Sequence, residues 1–248
     1  MKNNWFAEWF DSKYYHILYQ HRNYAEAQMF MDNLVTHLNV PPQATIWDLA
    51  CGKGRHSIYL AEKGFDVTGT DLSVQSITAA REFEHKQLSF FQHDMRDGFR
   101  INYFDYIFNL FTSFGYFDND KDDLRVLKNV AKSLKNNGIF VMDFLNVHHV
   151  AANLVPEEIK VLSNVKFHIT RNIADGYIVK AISFETEGRQ HQHQEKVRAF
   201  TLEELTHLFT QAGLSINKIF GDYQLNEFDQ RQSPRLILTS CGVDELTS

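Results

Sequence analysis

Asp48-Leu49-Ala50-Cys51-Gly52-Lys53-Gly54-Arg55-His56 joins two segments of different character. The residues leading into it, Ala44-Thr45-Ile46-Trp47-Asp48-Leu49, are mostly apolar and partly β-branched, and predict a short buried strand. The residues after it, from about Arg55 to Lys63, predict a helix that Gly64 closes. The glycines let the backbone approach a ligand without a Cβ in the way. The opening of the helix offers free N–H groups and a partial positive charge, suited to an anion. Taken alone, the same loop also fits a plain strand-to-helix turn.

Toward the N-terminus, Trp5 to Leu38 reads as helical, with Ala27, Phe30, Met31, Leu34, Val35 and Leu38 at helical spacing and Pro41-Pro42 as the stop. Toward the C-terminus, strands and helices alternate. Strands are predicted at Phe65–Thr70, Leu88–Gln92, Tyr106–Phe111 and Ile139–Phe144. Ser73 caps a helix carrying Val74, Ile77 and Ala80; another carries Leu124, Leu127, Val130, Ala131 and Leu134 and stops at Asn136-Asn137-Gly138. This rhythm predicts an α/β fold, a doubly wound and mostly parallel sheet with helices on both faces.

The rhythm breaks near Asn146, and from Glu158 to Phe200 the chain carries long β-like runs. A capping box at Thr201 and Glu204 then opens a helix with Leu202, Leu205, Leu208 and Phe209 on its apolar face. Strands around Ile216–Phe220 and Arg235–Ser240 follow. The division expected is a main domain of residues 1–145 and 201–248, interrupted by a β-rich lid insertion at 146–200. The insertion leaves the fifth strand at its carboxyl end, where a ligand of such a sheet lies.

The chain has 248 residues, a formal net charge of −6 and no basic run. That disfavours a nucleic-acid partner, which needs clustered Lys and Arg. No stretch is apolar and long enough to span a bilayer, and the start lacks a signal-peptide core, so a cytoplasmic home is expected. Cys51 and Cys241 form neither a metal pattern nor a disulfide framework. His148-His149 and His191-Gln192-His193 lack an acid or Cys to complete a ligand set, and no metal is expected.

Two further acids change the weight of the glycine loop. Asp71 ends the second strand, and Asp94, followed by Met95, comes just after the third. With Asp48, that puts an acid at the end of each of three consecutive strands. One acid there is ordinarily a cap or turn residue, whereas three in succession suit a ligand with ribose hydroxyls and an adenine amine.

From Ile46 to Phe144 the run resembles class I S-adenosylmethionine-dependent methyltransferases, and within them the small-molecule enzymes with an Ala-Cys-Gly-Lys-Gly-Arg-His loop. The resemblance implies a seven-stranded Rossmann-like sheet and S-adenosylmethionine as cofactor. By the same resemblance Ala50, Gly52 and Gly54 lie near the methionine part, Asp71 at the ribose, and Asp94 and Met95 at the adenine, with Asp48 and Leu72 also among the cofactor-binding residues. Asn109, Leu110 and Phe111 would lie beneath the amino-acid end, and Tyr19 and Arg22 would come from helices covering the cofactor. The fourth-strand run Asn109-Leu110-Phe111-Thr112-Ser113-Phe114-Gly115-Tyr116 suits that subgroup and has no Asn-Pro-Pro-Tyr motif, which argues against a nucleobase or glutamine-amide acceptor. Ala50 stands where the family often has its first glycine.

The implied reaction is in-line methyl displacement onto a small molecule, in which the protein chiefly aligns the acceptor and excludes water. Tyr14, Tyr15, Tyr19, Phe114 and Tyr116 are the aromatic candidates for facing a sulfonium or an amine. Arg198 and Arg235 are candidates to clamp an anionic acceptor. No general base is assigned. Two alternatives remain open at this level: a nicotinamide-dependent oxidoreductase, whose third glycine would fall at Ser57, and a non-catalytic nucleoside-binding module.

Overall fold

The computed structural model describes residues 5–20 and 24–243. Its main sheet has seven strands: β1 (Thr45–Leu49), β2 (Asp66–Asp71), β3 (Leu88–Gln92), β4 (Phe104–Asn109), β5 (Leu134–Leu145), β10 (Leu214–Phe220) and β11 (Arg235–Gly242). Their spatial order is β3-β2-β1-β4-β5-β11-β10, and only β11 runs against the others. The chain winds out through β2 to β3 and then returns to place β4 on the other side of β1. That reversal opens a crevice at the carboxyl ends of β1 and β4.

Side chains on the strands alternate between two cores, as a strand period of two requires. On one face Trp47, Leu49, Phe104, Ile107, Phe140, Met142, Leu236 and Leu238 meet α6 (Asp120–Ser133) and α8 (Leu202–Gln211). On the other, Ile46, Tyr106, Phe108, Val141 and Ile237 meet α3 (Tyr24–His37), α4 (Arg55–Glu62) and α5 (Val74–Ala80). The capping box of Thr201 and Glu204 is formed in full, and Ser73 caps α5.

The insertion is a separate antiparallel sheet, ordered β6 (Glu157–Leu162), β7 (Val165–Ala174), β8 (Tyr177–Thr186) and β9 (Arg189–Arg198). Its hairpins turn at Ser163-Asn164, Asp175-Gly176 and Glu187-Gly188, all six residues at positive φ, a backbone whose twist matches that of paired strands. One face of this sheet buries Phe167, Ile169, Ile182 and Phe184 against Trp9 and Leu18 of α1 (Trp5–Phe10) and α2 (Lys13–Leu18). Insertion and N-terminal helices therefore share one small core.

Four boundaries differ from the sequence reading. The N-terminal helical segment is broken, with Ser12 capping α2 separately. β4 ends at Asn109, two residues early, because Phe111 and Thr112 take φ of +56° and +59° and leave the strand conformation. Leu134 is extended and pairs with Phe104, so it opens β5 instead of closing α6. A short helix, α7 (Val147–Ala152), capped by Asn146, precedes the insertion where no helix was expected.

Candidate active site

The loop between β1 and α4 turns through three left-handed residues, Ala50 (φ +65°), Gly52 (+57°) and Gly54 (+78°). Ala50 holds that conformation at a cost of about 1 kcal/mol, since its Cβ crowds the carbonyl. The Cys51 amide donates to Thr70 O (2.9 Å), which ties the loop to the end of β2. Gly54 is needed for packing: a Cβ there would sit 2.5 Å from Phe90 Cζ. At the position of the missing third glycine, Ser57 is fully buried and donates to Asp48 Oδ2 (2.5 Å), joining α4 to β1. Burial pushes the Asp48 carboxyl up to about 6, against the lowering effect of the Ser57 hydroxyl. Burial, and then the charges of Asp48 and Asp71, push the Cys51 thiol up as well, which makes it a poor nucleophile.

Asp71 closes β2 between the two loops. Its Oδ2 accepts from the Gly52 amide and its Oδ1 from the Ser73 amide, both at 2.8 Å. Each oxygen keeps a further lone pair for a ligand. Burial raises the carboxyl's pKa, and the backbone amides oppose the shift. Asp94 is held by a two-pronged contact from Arg96, Nε to Oδ1 at 3.0 Å and Nη2 to Oδ2 at 2.6 Å.

These residues border a cavity of about 430 Å³, within the usual range for small-molecule sites. Of the sequence candidates, Tyr15, Tyr19, Asp48, Ala50, Gly52, Asp71, Leu72, Asp94, Met95, Leu110, Phe111 and Tyr116 line it. Gly54 and Asn109 do not: Gly54 packs on Phe90, and Asn109 is buried with its Nδ2 donating to Leu49 O (3.0 Å). Arg22 lies outside the described residues. Phe114 is in the core beside Phe200. Tyr14 packs on Phe184 and bonds Thr186, away from the cavity.

The two arginines proposed as an acceptor clamp are engaged elsewhere. Arg198 pairs with Asp120 (2.8 Å) at the base of the insertion. Arg235 donates from Nε to the fully buried Asp143 Oδ1 (2.7 Å) and from Nη2 to Thr112 Oγ1 (2.9 Å). Among the described residues, no side chain of 146–200 lines the cavity. It is α1, α2 and the residues just after them that cover it, through Phe6, Phe10, Tyr15, His16, Tyr19 and Gln20. The insertion supports them from behind: Glu195 accepts from Trp9 Nε1 (2.7 Å) and from Tyr19 Oη (2.7 Å), and Lys180 donates to the same Tyr19 oxygen.

Sequence reasoning did not assign Phe10, His16, Tyr24, Arg55, His56, Thr112 or Phe117 to the site, yet all line the cavity. Arg55 and His56 had a signal, since they sit in the quoted loop at the start of α4. There the His56 ring stacks on Phe111 (5.0 Å, 17°) and the Arg55 guanidinium lies 4.8 Å from the same ring. The residues of α1 and α2 had none, because helical spacing does not say which loop a helix covers. No three His, Cys, Asp or Glu among the described residues come together to hold a metal ion. Nor is any described helix long and apolar enough to cross a membrane.

A carboxylate at the end of β2 with spare lone pairs, apolar flanks at Leu72 and Met95, and a glycine loop at a helix start together fit a nucleoside-bearing cofactor. Comparison with known proteins agrees. Residues 46–138 match a methyltransferase domain family. The protein YqeM of Bacillus subtilis (strain 168) is 29% identical over 210 residues, 80% of this chain and 84% of that protein. The dTDP-3-amino-3,4,6-trideoxy-alpha-D-glucopyranose N,N-dimethyltransferase of Streptomyces venezuelae is 26% identical over 207 residues, 79% of this chain and 85% of that one. In fold, the chain is similar to an S-adenosylmethionine-dependent methyltransferase from Clostridium acetobutylicum ATCC 824, with a TM-score of 0.77, 20% identity and coverage of 97% and 98%. Glycine loop, acids, sheet order and relatives converge: residues 46–138 form a methyltransferase domain, on the fold of S-adenosylmethionine-dependent methyltransferases, and the chain is an enzyme of methyl transfer.

Proposed function

We propose that the acceptor is a small amine, and that the cofactor lies across the carboxyl ends of β1, β2 and β3. In this reading Asp71 takes the ribose hydroxyls, Asp94, Leu72 and Met95 take the adenine, and Ala50, Gly52 and Leu110 border the methionine part. When bound, the cofactor supplies an electrophilic methyl on a sulfonium. The residues of this chain bind, orient and exclude water.

The observation that carries the amine is a set of aromatic rings shared by the cover and the loop after β4. Phe10 lies 5.0 Å from Tyr15 and 5.2 Å from Tyr116, and Tyr15 lies 4.7 Å from Tyr19. All four border the cavity. Ring faces attract a cation, which suits both a sulfonium and an amine that becomes positively charged as it is methylated. Tyr116 donates its hydroxyl proton to Thr112 O (2.7 Å), which fixes its ring beside the cavity. An anionic clamp by Arg198 or Arg235 has no comparable support, since both are spent on Asp120 and Asp143. The amino-sugar relative supports an amine as well.

The test is transfer of labelled methyl from S-adenosylmethionine to a panel of primary and secondary amines, including amino acids and nucleotide-linked amino sugars, beside matched alcohols and carboxylates. Turnover confined to amines is expected. Turnover of the alcohols or carboxylates with none of the amines would overturn the reading.

A further inference from the structure

We propose that Asp143 and Arg235 form a positioning clamp that holds Phe111 and Thr112 in left-handed backbone, and so shapes the inner wall of the cofactor cavity. The inference rests on the assignment of that cavity to the cofactor, but not on the identity of the acceptor.

Two consecutive non-glycine residues with φ of +56° and +59° are unusual, and one of them is β-branched, the type least tolerant of that region. Such a pair persists only where its surroundings over-determine it. Here they do. The Phe111 amide donates to Asp143 Oδ2 (2.8 Å) and the Thr112 amide to the Asp143 carbonyl (3.0 Å). The Thr112 hydroxyl accepts from Arg235 Nη2 (2.9 Å), while Arg235 Nε donates to Asp143 Oδ1 (2.7 Å). Tyr223 adds its hydroxyl to Oδ2 at 3.3 Å. Both left-handed residues therefore end on Asp143, and the side chain of one ends on Arg235.

The sheet makes this possible. Asp143 is on β5, between β4 and β11, and Arg235 opens β11 opposite Leu145. A fully buried carboxylate requires a partner, and a planar guanidinium reaches two oxygens at once where an ammonium reaches one point. Asp143, Arg235 and Tyr223 do not line the cavity, whereas Phe111 and Thr112 do. The clamp thus acts through the turn. It also sets the Phe111 ring against His56, which joins the turn after β4 to the start of α4.

The experiment is a double-mutant cycle on the full chain, read as S-adenosylhomocysteine affinity by calorimetry. Arg235→Met is expected to weaken binding by about tenfold or more, and Arg235→Lys by about threefold or more, since neighbours in one network couple strongly. Thr112 lines the cavity itself, so Thr112→Gly is measured as its own baseline; its glycine takes positive φ unaided. Combined with either arginine variant, Thr112→Gly restores affinity to about its own level, a rescue that a general stabilising role for Arg235 does not produce. If Arg235→Met does not fold, Arg235→Lys, which keeps a positive charge beside Asp143, carries the cycle. Arginine variants that bind like the parent, or losses that Thr112→Gly does not relieve, overturn the proposal. A parent protein that does not bind S-adenosylhomocysteine refutes the cavity assignment instead. The clamp is then read by hydrogen exchange of the Phe111 and Thr112 amides, expected to be about tenfold faster in Arg235→Lys and, if unchanged, refuting it.

Discussion

Replacing Asp71 tests the cofactor assignment most directly. In the structure its two oxygens each accept one backbone amide, from Gly52 and Ser73, at 2.8 Å. That leaves one lone pair on each for two ribose hydroxyls. A hydrogen bond to a charged group is worth about 1.5–3 kcal/mol, so Asp71→Ala forfeits at least about 3 kcal/mol, a rise of roughly 150-fold in Kd. Asp71→Asn keeps the shape but turns an NH2 toward one of the two amides. It loses one acceptor and is expected to weaken binding by about 1.5 kcal/mol, roughly tenfold. The assay is calorimetric titration with S-adenosylhomocysteine, with thermal unfolding of each unliganded variant as the control for the glycine loop. Burial raises the pKa of Asp71, and a protonated carboxyl gives up acceptor capacity. Affinity of the parent therefore falls as pH drops through that raised range, and affinity of Asp71→Asn does not. A folded Asp71→Ala that binds within about threefold of the parent, against the 150-fold worked from two charged hydrogen bonds, refutes the reasoning.

Two other substitutions separate packing from binding. Gly54→Ala puts a Cβ 2.5 Å from Phe90 Cζ at φ +78°. Denaturant unfolding is expected to show a loss of about 2–4 kcal/mol, while the folded fraction binds S-adenosylhomocysteine almost as the parent does. Asp123 is fully buried on α6, and burial pushes its pKa up to about 8. Its folded pKa is above the unfolded value of 3.8, so its contribution to stability is present at low pH and is lost as pH rises through about 8. Between pH 6 and 8 the parent is expected to lose about 2 kcal/mol that Asp123→Asn does not lose, measured by denaturant unfolding at both pH values.

Much of the site was legible because its chemistry is local. Asp48, Asp71 and Asp94 each lie within two residues of a strand's carboxyl end, and parallel strands bring those ends to one edge whatever their order. The glycine loop needs only its own backbone and the first turn of α4. Gly54 shows the limit: from sequence it reads as a ligand-approach glycine, and only Phe90, 36 positions on along a neighbouring strand, reveals that it makes room for a ring.

By itself the sequence determined the alternation of strands and helices, the glycine turn and the acids near three strand ends. Each depends on periodicities and caps spanning a few residues. Only the tertiary structure decided that the insertion stands behind α1 and α2 instead of over the cavity, with Glu195 holding Trp9 and Tyr19 from 186 and 176 positions away. It also decided that Arg235 is spent on Asp143, 92 positions distant, and not on a ligand. A charge far from the loop it serves carries no local signature. Its partner is chosen by which strands lie side by side, and that is settled only when the cores on both faces of the sheet close.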